Sequence, residues 1–255
     1  KPPAKAVTTP PSMTEVLYDA PKDQAGDADQ DGKRNATGDE FVEVCNTTGG
    51  AIELKGYALI DSDAWWFRTE EGKRTLDLTR YKHDGKDFVF VFPACSLAPG
   101  QCAVVFNGYS RAGGKSSGLG THEKAGGKND RFGGALVFDA EMKTLKASFG
   151  NDGDWVALVS PEGVLIEVVS WGKPDRSVPS DVKKKSETPA TSWGSVERMA
   201  PGGEFVDSST LGDKSKLFSP GLFGGKPEAK KDEKPTKGGD SKKSEPAPAD
   251  PEQKK

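Results

Sequence analysis

Residues 27–32 read DADQDG, which spaces Asp27, Asp29 and Asp31 two apart and closes the run on Gly32. Carboxylates at loop positions 1, 3 and 5 can turn toward one point, and a glycine at position 6 supplies the left-handed backbone of a tight turn. Calcium, a hard cation that takes about six to eight oxygen ligands, suits that arrangement. Position 7 is Lys33, which would offer its backbone carbonyl, and position 9 is Asn35. Position 12, where a bidentate acid ordinarily closes such a loop, is Gly38, but Asp39 and Glu40 follow at once. A slightly longer loop closes on either, so the candidate metal ligands are Asp27, Asp29, Asp31, Lys33, Asp39 and Glu40. An acidic turn also forms without a metal, because Asp and Gly favour turns. Three alternating acids, a glycine at the sixth position and acids near the closing position together favour Ca²⁺. A second acidic turn, NDGD at 151–154, lies ahead of an apolar run and reads as a hairpin turn.

Catalysis finds no comparable constellation. A hydrolase of this size would show a nucleophile with its base, a metal cluster or paired carboxylates. The two histidines, His83 and His122, lie in Lys- and Gly-rich stretches, and His122-Glu123 lacks the second histidine at helical spacing that a zinc protease needs. Both read as loop residues, and no enzyme is expected. The glycine clusters GGK and GLG lie outside any strand-to-helix context, which argues against a phosphate cradle. Trp65, Trp66 and Phe67 form the largest aromatic cluster. Such a cluster more often covers the end of a core than stacks on a sugar or a peptide, and Trp155, Trp171 and Trp193 read as structural. The lysines at 183–185 read as a solvated run.

The elements that must position the acidic loop are strands. Apolar residues make up 33% of the 255, and 31 Gly and 18 Pro put a large share of the chain into turns and unstructured ends. Short runs rich in Val, Phe, Ile and Tyr, bounded by Gly, Pro, Asn and Asp, predict strands at 14–18, 40–46, 56–61, 88–92, 101–107, 155–160 and 164–171. The PEG between the last two is a hairpin signal. No segment carries a helical stripe over three turns. Within FVEVCN, Phe41, Glu43 and Cys45 alternate with Val42 and Val44, so both faces are apolar and a central strand is expected. The intervals 62–87, 108–145 and 172–200 are Gly-, Lys- and Ser-rich and read as loop insertions outside the core. Residues 1–12 read as a disordered Pro-rich tether, 13–224 as the sandwich, and 225–255 as a disordered tail of Lys, Pro and Glu.

The formal net charge of -3 gives no support to a phosphate-binding surface. The longest apolar runs are far short of the roughly 20 residues that span a bilayer. Cys45, Cys95 and Cys102 allow one disulfide in any of three pairings; Cys95 and Cys102 flank a Pro99-Gly100 turn and could meet across a hairpin, or remain buried thiols. The chain opens on Lys1, which reads as a removed leader or a piece of a longer protein.

Taken in order, DEFVEVCNTTGGAIELKGYALID, FVFPACSLAPGQCAVVFNG and SFGNDGDWVALVSPEGVLIEVVSW resemble the successive blocks of the bacterial lamin-tail domain family. The DxDxDG run resembles the opening of an EF-hand or dockerin loop. The first resemblance spans about residues 13–224 and implies an all-β, immunoglobulin-like β-sandwich with long loop insertions that could carry extra strands. It further implies an accessory module of a secreted or cell-surface bacterial protein, whose expected partner is an unidentified extracellular protein or polysaccharide; the residues themselves offer no catalytic set and no membrane span. The competing expectation is a nucleic-acid-binding accessory domain of a secreted nuclease or phosphatase system. The coiled-coil rod of a lamin is absent, so a nuclear filament role does not carry over.

Overall fold

The computed structural model describes residues 9–69, 75–111, 118–188, 194–210 and 217–223. Both expected disordered ends lie largely outside these residues, as does Trp193. In chain order the strands are β1 (Ser12–Asp19), β2 (Phe41–Cys45), β3 (Ile52–Glu53) and β4 (Ala58–Asp61), followed by the short helix α1 (Ser62–Arg68). Next come β5 (Val89–Val91), β6 (Ser96–Leu97), β7 (Cys102–Phe106), β8 (Lys128–Asn129) and β9 (Ala135–Asp139). The last are β10 (Gly153–Val159), β11 (Leu165–Gly172), β12 (Lys184–Thr188), β13 (Gly194–Arg198) and β14 (Phe205–Asp207). They form an all-β sandwich of a seven-stranded sheet, β14-β13-β1-β2-β7-β9-β8, and a five-stranded sheet, β12-β11-β10-β4-β5, with β3 and β6 as a separate pair.

All seven predicted strands are present, and β2 lies between β1 and β7 as its two apolar faces require. The core between the sheets takes Val16, Tyr18, Val42, Val44, Val105 and Phe138 from the larger sheet against Leu59, Phe90, Val156, Leu158, Val169 and Trp171 from the smaller. Tyr18 lies flat on Trp171, with centroids 4.3 Å apart and planes 6° from parallel. Both sheets are also covered on their outer faces. Leu17, Phe41, Cys45, Val104, Phe106 and Val137 make a second cluster, against which Phe218 and Phe223 pack. Ala58, Ile60, Trp155, Ala157 and Val159 make a third, closed by Ala64, Trp65, Leu76 and Val182.

This corrects the reading of the three long intervals as insertions outside the core. The first supplies α1 and Leu76, the second supplies β8, β9 and Phe132, and the third supplies β12, β13 and Val182. Their short apolar runs are diluted by the glycines and lysines of the turns around them, so average composition hides them. β9 runs parallel to β7, and β12 parallel to β11. Parallel neighbours need a long crossover, and that is what much of the intervening chain provides.

Cys45 and Cys102 are opposite each other in the β2–β7 register and form the disulfide; Cys95 stays a half-buried thiol pushed up to about 11 by burial. The hairpin pairing of Cys95 with Cys102 does not occur, because Cys102 is met from the neighbouring strand instead.

A buried ionic knot joins the sheets. Glu167 on β11 accepts Arg198 Nη2 at 2.7 Å, Lys184 Nζ at 2.8 Å and the Met13 backbone N–H at 3.0 Å. Arg198 Nε also donates to the Met13 carbonyl at 3.1 Å. Glu167 and Arg198 are 1% and 3% exposed at their side chains, so removing Glu167 leaves Arg198 buried without a counter-charge, and removing Arg198 leaves Glu167 buried with only the part-exposed Lys184 to compensate it. Arg198→Ala should therefore lower unfolding free energy by about 3–5 kcal/mol, read as a shift in urea midpoint; a loss under 1 kcal/mol would contradict the knot.

Carboxyls also hold the C-terminal segment 217–223. Ser219 donates its backbone N–H to Glu15 at 2.8 Å, and Gly221 N–H donates to Glu43 Oε2 at 2.5 Å. Gly221 has φ +87°, and a Cβ there would collide with the Phe132 carbonyl, so this seat admits only glycine. Burial, then the nearby Glu43 and Glu197 carboxylates, push Glu15 well above its ordinary range; burial pushes Glu43 up to about 7. The folded protein holds these protons while unfolded glutamates release theirs near pH ~4.3. The stability they contribute is complete below that pH and is lost as pH rises toward 7. Glu43→Gln should therefore match the parent protein in urea midpoint near pH ~3.5, below the unfolded pKa, and exceed it at pH 8. Parallel pH profiles for the two proteins would refute this.

Candidate metal centre

The acidic loop runs from the end of β1 to the start of β2. A 3-10 turn, Asp23–Gly26, leads into it, and Gln30 and Gly32 take the left-handed backbone at φ 57° and 92°. Those two residues curl the chain so that its amides point inward. Asp27 accepts from the Asp31 N–H at 3.1 Å with one oxygen, and from the Gly32 N–H at 3.1 Å and Gln24 Nε2 at 2.7 Å with the other. Asp29 Oδ1 accepts from the Asp31 N–H at 2.9 Å. Asp39 closes the loop from its far end, accepting from the Asp29 N–H at 3.0 Å and the Asn35 N–H at 2.5 Å.

The result is a convergence of Asp27, Asp29 and Asp39, with one carboxylate oxygen from each lying within 4.8 Å of the others. Asp31 Oδ1 accepts from the Lys33 N–H at 2.8 Å and is outside this trio, and the Lys33 side chain is exposed. Glu40 is also outside it: its side chain turns into the sandwich and accepts from the Phe149 N–H at 3.0 Å. Asn35 Oδ1 accepts from the N–H groups of Thr37 and Gly38 and so shapes the closing turn. The other convergence among the described residues, Glu43 with Cys45 and Cys102, is committed to the disulfide. In the NDGD turn, Asp154 accepts from Ser62 Oγ, the Gly150 N–H and the Trp155 N–H, which is a structural role.

Electrostatics make the trio unlike a solvated turn. Burial raises Asp29 to about 7, against the opposing pull of the Arg111 guanidinium, and burial raises Asp39 to about 6, against the Asn35 and Asp29 amides. Arg111 is the residue that sequence reasoning missed. Its Nη1 meets Asp29 Oδ2 at 2.8 Å and its Nε meets Asp139 Oδ2 at 2.6 Å, tying the loop to the end of β9. No spacing links Arg111 to Asp29 in the sequence; only the return of β7 beside β2 brings them together.

The tryptophan cluster divides. Trp65 is buried under the smaller sheet, as expected for a residue that covers core, while Trp66 and Phe67 are exposed with the Arg176 guanidinium over both rings.

Two sheets packed face to face define an immunoglobulin-like sandwich, with the acidic loop joining two interior strands of the larger sheet at one end. The chain belongs to the Lamin Tail Domain family, whose model matches residues 6–173. The crystal structure of a DUF4876 family protein from Bacteroides thetaiotaomicron VPI-5482 is similar at 15% identity and a TM-score of 0.29. That similarity covers 58% of this chain, which spans 41% of the other's length. No curated protein matches. Among the described residues no helix is long and apolar enough to cross a membrane.

Arg111→Met removes the guanidinium and leaves Asp29 and Asp139 buried without it. In calcium-free buffer at pH 8 it should destabilise the protein by about 3–5 kcal/mol. An unchanged chemical-denaturation midpoint would show that the tie contributes nothing.

Proposed function

We propose that this protein is a non-enzymatic, calcium-stabilised module of a secreted or cell-surface bacterial protein. One observation carries the reading: Asp27 and Asp29 at the start of the loop and Asp39 at its end bring one carboxylate oxygen each within 4.8 Å of the others, with Asp29 and Asp39 buried. Buried carboxylates are stable as anions only when a cation or donors compensate them. Asp29 and Asp39 are held above their ordinary range by burial even with Arg111 present, so a divalent ion has an electrostatic deficit to fill.

On this reading Asp39, rather than Glu40, closes the loop. Asp31 and the Lys33 carbonyl complete the oxygen set with solvent. Calcium supplies charge and fixes the loop against β2; the chain's own residues position it. A site with one acid diverted to Arg111 belongs with the weak extracellular class, whose Kd is about 10⁻⁴ to 10⁻³ M. The cross-strand disulfide supports export, because such bonds persist in oxidising compartments. Trp66 and Phe67, exposed beside Arg176, are the proposed contact for an extracellular protein or polysaccharide.

Thermal unfolding of the full chain tests the metal claim. With Kd near 0.5 mM, calcium at 5 mM should add roughly 1.4 kcal/mol, or about 3–5 °C in Tm, relative to EGTA. Asp27→Asn should abolish that difference. Equal melting in calcium and in EGTA would remove the metal from the proposal.

A further inference from the structure

Among the described residues, Trp66 and Phe67 are the two Trp, Tyr or Phe side chains left exposed, at 59% and 67%. They are presented rigidly. Asp61 caps α1 by accepting from the Ala64 N–H at 2.7 Å, Trp65 anchors its inner face in the core, and the Thr69 hydroxyl donates to the Trp65 carbonyl at 2.7 Å. The Arg176 guanidinium stands 5.2 Å from the Trp66 ring centre and 5.7 Å from that of Phe67. Arg176 is itself held: its Nε donates to Asp63 Oδ1 at 3.1 Å and its carbonyl accepts from Trp155 Nε1 at 2.9 Å. Rings fixed in advance lose little freedom on binding, which favours affinity.

Phe67 also lines a groove of about 820 Å³. The charges of that lining balance, Arg68 and Arg80 against Asp77 and Glu162, and Thr75 and Thr79 add hydroxyls. These features discriminate between occupants. A protein partner calls for an interface centre depleted of charge, and this groove is charged. An anionic polymer calls for an excess of basic groups, and here acids equal bases. A cationic ligand would seek the ring faces, where Arg176 already sits. An uncharged, hydroxyl-rich chain meets none of these objections. The C–H face of a pyranose ring is apolar and its hydrogens are slightly positive, which suits the negative face of an aromatic ring. Its hydroxyls accept from guanidinium groups and donate to carboxylates.

We propose that the groove and the Trp66–Phe67 platform bind a neutral polysaccharide, with sugar rings on the two aromatic side chains and hydroxyls against Asp77, Arg80 and Glu162. This rests on the reading of Trp66 and Phe67 as the contact surface, and selects glycan over protein there. Because Phe67 belongs to both platform and groove, the site takes a chain of sugars rather than a single one.

The test is native electrophoresis of the full chain through gels that each hold one soluble polysaccharide: laminarin, hydroxyethylcellulose, galactomannan or arabinoxylan as neutral polymers, alginate or heparin as anionic ones. At least one neutral polymer should retard the protein, and about 0.15 M salt should not relieve it. Trp66→Ala and Phe67→Ala, at exposed rings, should each weaken binding about tenfold or more with the melting temperature unchanged, while Trp66→Phe should keep most of it. Asp27→Asn, which removes the calcium dependence of melting, should still bind the polymer, so the metal reading and this one fail separately. The proposal is overturned if no neutral polymer retards the parent chain, if retention is confined to anionic polymers and lost in salt, or if the two alanine variants bind as the parent does. Any of these results beside an intact calcium-dependent melting shift would remove the glycan and leave the calcium-stabilised module standing.

Discussion

The two sheets are held in one relation by a carboxylate that has no access to water. Glu167 gathers Arg198 from β13, Lys184 from β12 and the main chain of β1, so four strands from two sheets share a single charged centre. An apolar core alone tolerates sliding and repacking. A buried ion pair does not, because any slip strands a charge in a low-dielectric interior. With β1 and β11 held in this way, Tyr18 and Trp171 stack in parallel further along the same strands, and the β1 end that leads into the acidic loop is fixed.

From that anchor the loop inherits its geometry. β1 delivers the chain to Asp27, β2 receives it after Asp39, and the two strands are direct neighbours in the larger sheet. The loop is thus a closed excursion between adjacent strands, and its acids can be buried without being part of the core. Arg111 then ties it to Asp139 at the end of β9, giving the loop contact with three strands of one sheet.

Much of this was legible in the sequence. Strands with strong β-branched and aromatic runs were found, and the double-faced apolar pattern of FVEVC placed β2 in the interior of a sheet. The acids at 27, 29 and 39 were legible because they are local, and local spacing is what a sequence displays. The strand β9 was hidden because its run, ALVFD, follows a long Gly- and Lys-rich stretch; β12, KKSET, is polar because it forms an edge. Glu40 and Asp39 are adjacent in sequence, yet β-strand alternation sends one side chain into the sandwich and leaves the other at the loop. The Cys45–Cys102 bond and the Arg111 tie join residues separated by whole strands, and nothing in their spacing announces them.

The segment 217–223 lies well past the residues matched by the family model, yet it seats Phe218 edge-on against Phe41 and fastens to Glu15 and Glu43. The family's boundary is therefore not the boundary of this molecule's folding unit. A chain cut at residue 173 would keep the blocks that define its ancestry but lose the outer strands β12, β13 and β14 and the lid over the disulfide-bearing face. What remained would present bare, hydrogen-bonding sheet edges and an oily surface to its neighbours, and such fragments clump.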